Sequence, residues 1–99
     1  MKKIPRYEPN HLEQAGQGHM ASAAFREALA VYFELADGDP SLDAGYTAMR
    51  IGECYEGLSE LHAARYWYGR AVEENPSVPE YRAARARLED LDLAGLVKD

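Results

Sequence analysis

The chain has 99 residues, 46% of them hydrophobic and 28% charged, and its 17 acidic residues against 11 basic ones give a formal net charge of −6. A chain of this length buries about 60 to 65% of its unfolded surface, so one small globular domain is predicted and a large multidomain enzyme is excluded. The acidic balance argues against nucleic acid as a partner, because phosphate backbones are bound by clustered lysine and arginine.

Residues 1–8 show no hydrophobic periodicity and carry the basic side chains Lys2, Lys3 and Arg6. We expect a flexible leader there, followed by a helix that opens at Pro9, since proline suits the first helical turn. No apolar segment follows the N-terminal lysines as in a secretory signal, and no stretch approaches the roughly 18 apolar residues that a membrane span needs. The sequence therefore predicts a cytoplasmic protein with no membrane contact.

Two helices are predicted in the first part of the chain. Small and apolar residues recur at steps of three and four over 10–21, although two glycines weaken the pattern. The apolar stripe over 24–36 is stronger, and Gly38 followed by Pro40 supplies a stop signal. We expect these two helices to pair as a hairpin.

Three further helices are predicted in the rest of the chain. Apolar spacing over 42–55 indicates the third. Ser59 offers an N-cap for the fourth, which must end before Pro76 because a residue that precedes proline disfavours the helical conformation. A capping box at Ser77 opens the last helix, over 78–92. Short loops make sequential helices antiparallel neighbours, so the fold is predicted to be an all-α stack of helical hairpins.

A repeat is visible within the chain. Identical residues recur 36 positions apart at Gly16 and Gly52, Ala28 and Ala64, Tyr32 and Tyr68, and Pro40 and Pro76. These are the residue types that a helical hairpin needs, because small residues let two helices approach, a ring fills the space beside them, and proline ends the second helix. The positions that agree, rather than their number, indicate two equivalent hairpins.

This pattern resembles the tetratricopeptide repeat family, whose signature of small, aromatic and proline positions has a period of about 34 residues. The first unit matches at Leu12, Ala15, Gly16, His19, Ala28, Tyr32, Leu35 and Pro40. The second matches at Ala48, Ile51, Gly52, Tyr55, Ala64, Tyr68, Ala71 and Pro76. The chain departs from the signature where His19 replaces a tyrosine, Leu35 replaces an alanine and Ala48 is undersized. Two additional residues within 39–45 account for the longer offset.

The resemblance implies antiparallel helix-turn-helix hairpins stacked as a short right-handed α-solenoid, with two repeat units and a C-terminal capping helix. The last helix lacks the signature, and its arginines suit a solvent-exposed outer face. The expected boundaries are a leader at 1–8, a repeat domain at 9–92 and a tail at 93–99. Within the domain we expect units at about 9–40 and 43–76 and the capping helix at 78–92.

The resemblance also implies a non-catalytic protein–protein interaction module, an adaptor or scaffold that binds a peptide or protein segment in a concave groove. In the family the first helix of each hairpin lines this groove. Carried over by position, the groove residues are Asn10, Glu13, Gln17, Met20, Tyr46, Met49, Glu53 and Glu56, with Arg50 beside them. Apolar contacts surrounded by glutamates favour a segment with apolar and basic residues. The alternative is that this face is only solvated.

Catalytic and metal sites are not indicated. The three histidines and Cys54 show no i, i+4 pair, so neither a metal site nor a cofactor is predicted, and Cys54 is interpreted as a buried, inert thiol. No nucleophile has a base at a fixed spacing, and no glycine-rich phosphate loop follows a strand. The aromatic run at 66–68 is interpreted as packing, because consecutive helical residues point in different directions.

Self-association is the rival functional hypothesis. Repeat arrays generally need about three units to bury a continuous core, and this chain has two with a cap. A homodimer could supply the missing contacts through the first helix, which no earlier repeat covers.

Overall fold

The computed structural model describes the backbone of residues 9–39 and 41–98 and, within those ranges, the side chains of residues 10–89. It contains five helices and, among the described residues, no strand: α1 (Pro9–Ala21), α2 (Phe25–Gly38), α3 (Tyr46–Gly57), α4 (Leu61–Glu74) and α5 (Pro79–Lys98). The predicted all-α class is confirmed. The predicted leader at 1–8, the signature residue Pro40 and the last residue of the predicted tail lie outside the described residues. No helix in the described ranges has the length and hydropathy that a bilayer span requires.

Each helix packs against the next one along the chain, in the pairs α1 with α2, α2 with α3, α3 with α4, and α4 with α5. The connections at 22–24, 58–60 and 75–78 are short, which makes sequential helices close neighbours. The last helix runs past 92, its predicted end, and includes Gly95.

The two hairpins repeat one contact. A Cβ built on Gly16 would lie 2.5 Å from Cζ of Tyr32, and a Cβ built on Gly52 would lie 2.5 Å from the ring of Tyr68. Both tyrosine rings are buried, so each ring lies directly against a helix backbone. Because any side chain at either glycine would displace the ring, the repeated glycines set the distance between the helices of each hairpin.

The turns inside the two hairpins repeat as well. Ala23 and Ser59, 36 residues apart, both adopt a left-handed conformation, with φ of 58° and 62°. Their amides donate to the carbonyls of Met20 and Glu56, which are again 36 residues apart. The predicted N-cap role of Ser59 is wrong: Glu60 occupies that position without a side-chain cap, because Ser59 forms the left-handed exit from α3.

Among the described residues, the core consists of three clusters of buried side chains. One cluster surrounds Tyr32 and contains Ile51 and Cys54, a second surrounds Tyr68 and Leu88, and a third lies between the 39–45 connection and α4. Signature residue Ala15 is exposed although its counterpart Ile51 is fully buried. Ile51 packs against α2 of the preceding hairpin, whereas no described helix precedes α1.

The connection at 39–45 differs from the prediction of a helix that starts at residue 42. Leu42, Asp43 and Ala44 form a left-handed turn with φ of 56°, 54° and 53°, and α3 starts only at Tyr46. Gly45 completes the turn at φ 92°, where an added Cβ would lie 2.7 Å from the carbonyl oxygen of Ala71. The carboxylate of Asp39 binds this turn at one end and close packing fixes it at the other, which offsets the cost of the strained residues.

Candidate functional site

An open cleft of about 520 Å³ lies where the first half of α1 meets the end of α2 and the start of α3. The cleft is lined by Asn10, Glu13, Gln17, Leu35, Gly38, Asp39, Asp43, Tyr46 and Thr47. Four of these, Asn10, Glu13, Gln17 and Tyr46, belong to the predicted groove. The structure therefore brings side chains from α1 and α3 together on one surface.

Tyr46 connects the two helices of this surface. Its hydroxyl donates to Oε2 of Glu13 on α1 and accepts a hydrogen bond of 2.8 Å from Nε of Arg50. Gln17 donates to the same Glu13 oxygen at 2.6 Å. The guanidinium of Arg50 also lies over the Tyr46 ring, with its Cζ 4.9 Å from the ring centroid, which adds a cation–π contact. The phenol is thereby fixed between a carboxylate and a cation.

Arg50 extends this network along α3. Its Nη1 lies 2.6 Å from Oε1 of Glu53, and both side chains are about one-third exposed, at 32% and 30%. Burial opposes the charge of Arg50, but the hydrogen bonds to Tyr46 and Glu53 outweigh that effect and raise the pKa of Arg50. Arg50 therefore stays charged and engaged. Glu13, Gln17, Tyr46, Arg50 and Glu53 form one connected polar set, which we call the groove network.

Behind the groove network lies a buried hydroxyl. The Tyr32 ring is fully buried, and its hydroxyl has no hydrogen-bond partner. That hydroxyl lies 2.9 Å from where a Gly16 Cβ would be, at the level of α1 between Glu13 and Gln17. Burial and, next, the charge of Glu13 raise the pKa of Tyr32. The hydroxyl is therefore neutral and buried against α1, and Tyr32 is not among the residues that line the cleft.

In the second hairpin the hydroxyl of the equivalent tyrosine, Tyr68, has a hydrogen-bond partner. The hydroxyl of Tyr68 donates to Oε1 of Glu56 at 2.7 Å, and Arg87 on α5 donates to Oε2 of the same carboxylate at 2.6 Å. The hydrogen bond from Arg87 lowers the pKa of Glu56; burial opposes this, and the bond from Tyr68 adds to it. The position equivalent to Glu56 in the first hairpin is Met20, which cannot accept such a bond.

The remaining predicted groove residues lie outside the groove network. Glu56 joins α3, α4 and α5 through Tyr68 and Arg87 rather than joining the groove network. Met20 packs partly buried against the cluster around Tyr32, and Met49 packs against the other two clusters. Asn10 is exposed on the rim of the cleft. The predicted face thus divides into a polar network, a separate ion pair and two methionines that support the core.

The sequence analysis missed the contribution of the 39–45 connection. Asp39 and Asp43 both line the cleft. Asp39 accepts hydrogen bonds from the hydroxyl and amide of Ser41, at 2.9 and 3.1 Å, and from the amide of Asp43 at 3.0 Å. The Ser41 hydroxyl is the main cause of its lowered pKa, with burial acting in the opposite direction. The two residues beyond the usual repeat length marked this loop as unusual, and such loops commonly carry function.

The charged residues that line the cleft are all acidic. Glu13, Asp39 and Asp43 contribute carboxylates, and none of the lining residues is basic. The described residues contain no group of three histidine, cysteine or acidic side chains arranged to hold a metal ion. The three carboxylates give the cleft a negative potential, which attracts cations.

Aromatic side chains of α2 and α4 form a second surface feature. Phe33 and Tyr66 are 37% and 57% exposed, and both make edge contacts with the half-buried Trp67, at centroid distances of 5.6 and 5.4 Å. Tyr68, the next residue, lies in the core. The aromatic run thus points in several directions, as its helical spacing indicated.

The single thiol lies in the core. Cys54 is fully buried in the cluster around Tyr32, and burial raises its pKa to about 11. A buried, protonated thiol is a poor nucleophile and a poor metal ligand.

Comparisons of the chain with models of protein families, with curated proteins and with solved structures found no match.

Proposed function

We propose that this protein is a non-catalytic interaction module of the tetratricopeptide type, an adaptor or scaffold that binds a peptide or protein segment in a groove along α1 and α3. The groove network carries the proposal. It aligns polar side chains of two helices beside an open cleft, through hydrogen bonds that connect Tyr46 to both Glu13 and Arg50. Such an array is prepared to recognise a partner, because its side chains are already ordered.

The internal repeat supports the family part of the proposal. The 36-residue offset relates two glycine–tyrosine contacts and two left-handed turns, and it also relates α2 to α4 residue by residue. Stacked equivalent hairpins are the architecture of helical repeat proteins, which present the first helix of each unit on one side. In this arrangement α5 takes the place of a capping helix.

The chemistry of the groove supports the choice of partner. The cleft has carboxylates at its rim and Leu35 in its lining, so a segment with both basic and apolar residues is complementary to it. The groove network has no activated nucleophile, and Cys54 is buried. Binding is therefore proposed without catalysis or a cofactor. The cytoplasmic location stays a prediction of the sequence.

A display selection tests the proposal. Random peptides are selected on the immobilised protein, and each enriched peptide is then measured against the variant Tyr46→Ala with Glu53→Lys. We expect at least tenfold weaker binding, about 1.4 kcal/mol, because an aromatic anchor is lost and one charge is reversed. The matched control is Tyr66→Ala, which removes an equally large, exposed ring on α4 and should leave affinity unchanged.

Two outcomes would overturn the groove assignment. One is a set of enriched peptides that bind the groove variant as tightly as the wild type, and the other is equal loss with Tyr66→Ala. Thermal unfolding followed by circular dichroism establishes that each variant is folded.

Light scattering across a concentration series tests the rival homodimer. The outer side of α1 exposes His11, Gln14, Ala15 and Gly18 and, in the described part of that helix, no large apolar side chain. We therefore expect a monomer, and a tight dimer would favour the rival.

A further inference from the structure

We infer that the cleft between α1, α2 and the 39–45 connection is the subsite for one basic side chain, lysine or arginine, of the bound segment. This inference rests on the proposed function and deepens it by assigning the charged residue of the partner to one place in the groove. The site is an open cleft lined by α1, α2, the 39–45 connection and the start of α3, and its volume of about 520 Å³ lies within the range of small-molecule sites. It is large enough for a side chain and its hydration.

Hydrogen bonding decides which carboxylate oxygens remain available. Both carboxylate oxygens of Asp39 already accept bonds from Ser41 and Asp43. Oε2 of Glu13 accepts from Tyr46 and Gln17, whereas Oε1 accepts no bond from the described residues. The exposed carboxylate of Asp43 likewise accepts none from them. Glu13 and Asp43 are therefore the groups that would receive a cationic N–H donor.

Arg50, a cation of the groove network, is engaged away from these oxygens. Arg50 lies against Tyr46 and is paired with Glu53, and it does not line the cleft. Leu35 and Thr47 provide the less polar part of the lining. A long basic side chain suits this arrangement, because its methylene stem packs on apolar atoms while its head stays near carboxylates.

An unpartnered hydroxyl, that of Tyr32, is buried behind the α1 side of the cleft. It is fully buried, has no partner and faces α1 between Glu13 and Gln17, two lining residues. A neutral hydroxyl oxygen accepts hydrogen bonds, and burial without a partner is costly. Tyr32 does not line the cleft, so the subsite is assigned to Glu13 and Asp43 and not to this oxygen.

Small capped amino acids test the subsite without knowledge of the partner. N-acetyl-lysine methylamide, its arginine analogue and the neutral N-acetyl-norleucine methylamide are titrated into the full ¹⁵N-labelled chain and followed by two-dimensional NMR. We expect the two cationic compounds to bind with a Kd of about 1 mM or weaker and to shift the amide signals of residues 10–17 and 38–47. Norleucine methylamide should leave those signals unchanged.

Two isosteric variants identify the groups involved. Glu13→Gln keeps an acceptor for Tyr46, and Asp43→Asn suits the left-handed conformation at φ 54°. Each should weaken lysine binding by about two- to fivefold, and the pair by about tenfold. Glu73→Gln is the matched control, because it neutralises an exposed carboxylate that pairs with Arg70 on α4 and should have no effect.

The subsite is refuted if norleucine methylamide shifts the same signals as the lysine compound. It is also refuted if Glu73→Gln weakens binding as much as the double variant. Failure of the subsite is distinguishable from failure of the proposed function. A selected peptide that requires Tyr46 but binds the double variant at full affinity removes the subsite and leaves the groove intact. The subsite is supported if a selected peptide loses binding only when its lysine or arginine is replaced by norleucine.

Discussion

Replacing each of the two equivalent tyrosines with phenylalanine should change stability in opposite directions. Tyr68→Phe removes a hydrogen bond to the Glu56 carboxylate, and bonds to charged groups contribute about 1.5 to 3 kcal/mol. Tyr32→Phe removes a buried hydroxyl that has no partner, and such a group costs about 1 to 3 kcal/mol in the native state. Both rings keep their packing against a glycine, so the packing contribution cancels.

Urea unfolding at pH 7 measures the difference directly. For the Tyr68→Phe variant we expect a loss of about 1 to 2 kcal/mol, and for Tyr32→Phe a gain of about 1 kcal/mol. The m-value should be unchanged, since the same surface is exposed on unfolding. Tyr66→Phe, at a site that is 57% exposed, is the control and should stay within about 0.5 kcal/mol of the wild type. Equal destabilisation by Tyr32→Phe and Tyr68→Phe would refute this reasoning.

Three further predictions follow from glycine contacts, an ion pair and the thiol. In thermal unfolding, Gly18→Ala should stabilise the protein by about 0.5 to 1 kcal/mol, because nothing lies near an added Cβ. Gly52→Ala should destabilise it by about 1 to 3 kcal/mol, because its Cβ would overlap Tyr68. Equal effects of the two substitutions would contradict the close contact between Gly52 and the Tyr68 ring. Because the pKa of Glu56 is lowered in the folded state, its stabilising effect is present above the usual pKa of 4.5 and is lost as pH falls through the folded pKa. The difference in stability between wild type and Glu56→Gln should therefore shrink on acidification below pH 4.5. A difference that is independent of pH would refute the pairing with Arg87. Cys54 should react with a disulfide reagent at pH 8 far more slowly in the native state than in urea, because the thiol is buried and its pKa is raised to about 11; equal rates would place it at the surface.

The hairpins could be predicted from the sequence because their geometry is encoded locally. Glycine on one helix and a tyrosine 16 residues later meet across a short turn, and Gly16 with Tyr32 and Gly52 with Tyr68 do so in both units. The spacing of small residues and rings selects the helix faces that approach closely. This relation needs no information about distant parts of the chain.

The turn before α3 could not be predicted in the same way. Three consecutive residues without glycine, Leu42, Asp43 and Ala44, have positive φ, which local propensity disfavours. The conformation depends on hydrogen bonds to Asp39 and on contact of Gly45 with Ala71, which is distant in sequence. Tertiary packing therefore overrides the helical pattern, and the position of Asp43 at the cleft follows from that packing.

The candidate site was predictable as a face but not as a set of pairings. The family resemblance assigned Glu13 and Tyr46 to one groove, and in the structure the Tyr46 hydroxyl donates to Glu13. Helical register does not predict which neighbouring side chain a residue binds, and Glu56 accepts hydrogen bonds from Tyr68 and Arg87. The interactions of Glu56 involve side chains from three helices, α3, α4 and α5, and the hydrophobic period of a single helix does not contain this information.

The difference between the hairpins explains why we assign recognition to the N-terminal end of the groove. In the second hairpin the buried tyrosine hydroxyl is satisfied internally by Glu56, which also binds α5 through Arg87. In the first hairpin methionine occupies the equivalent position, and the hydroxyl of Tyr32 has no partner; Glu13 at the cleft keeps one carboxylate oxygen that accepts no bond from the described residues. The second hairpin uses the Glu56 carboxylate to hold the domain together, whereas the first keeps the Glu13 carboxylate at an open cleft, where an incoming basic side chain gains the most.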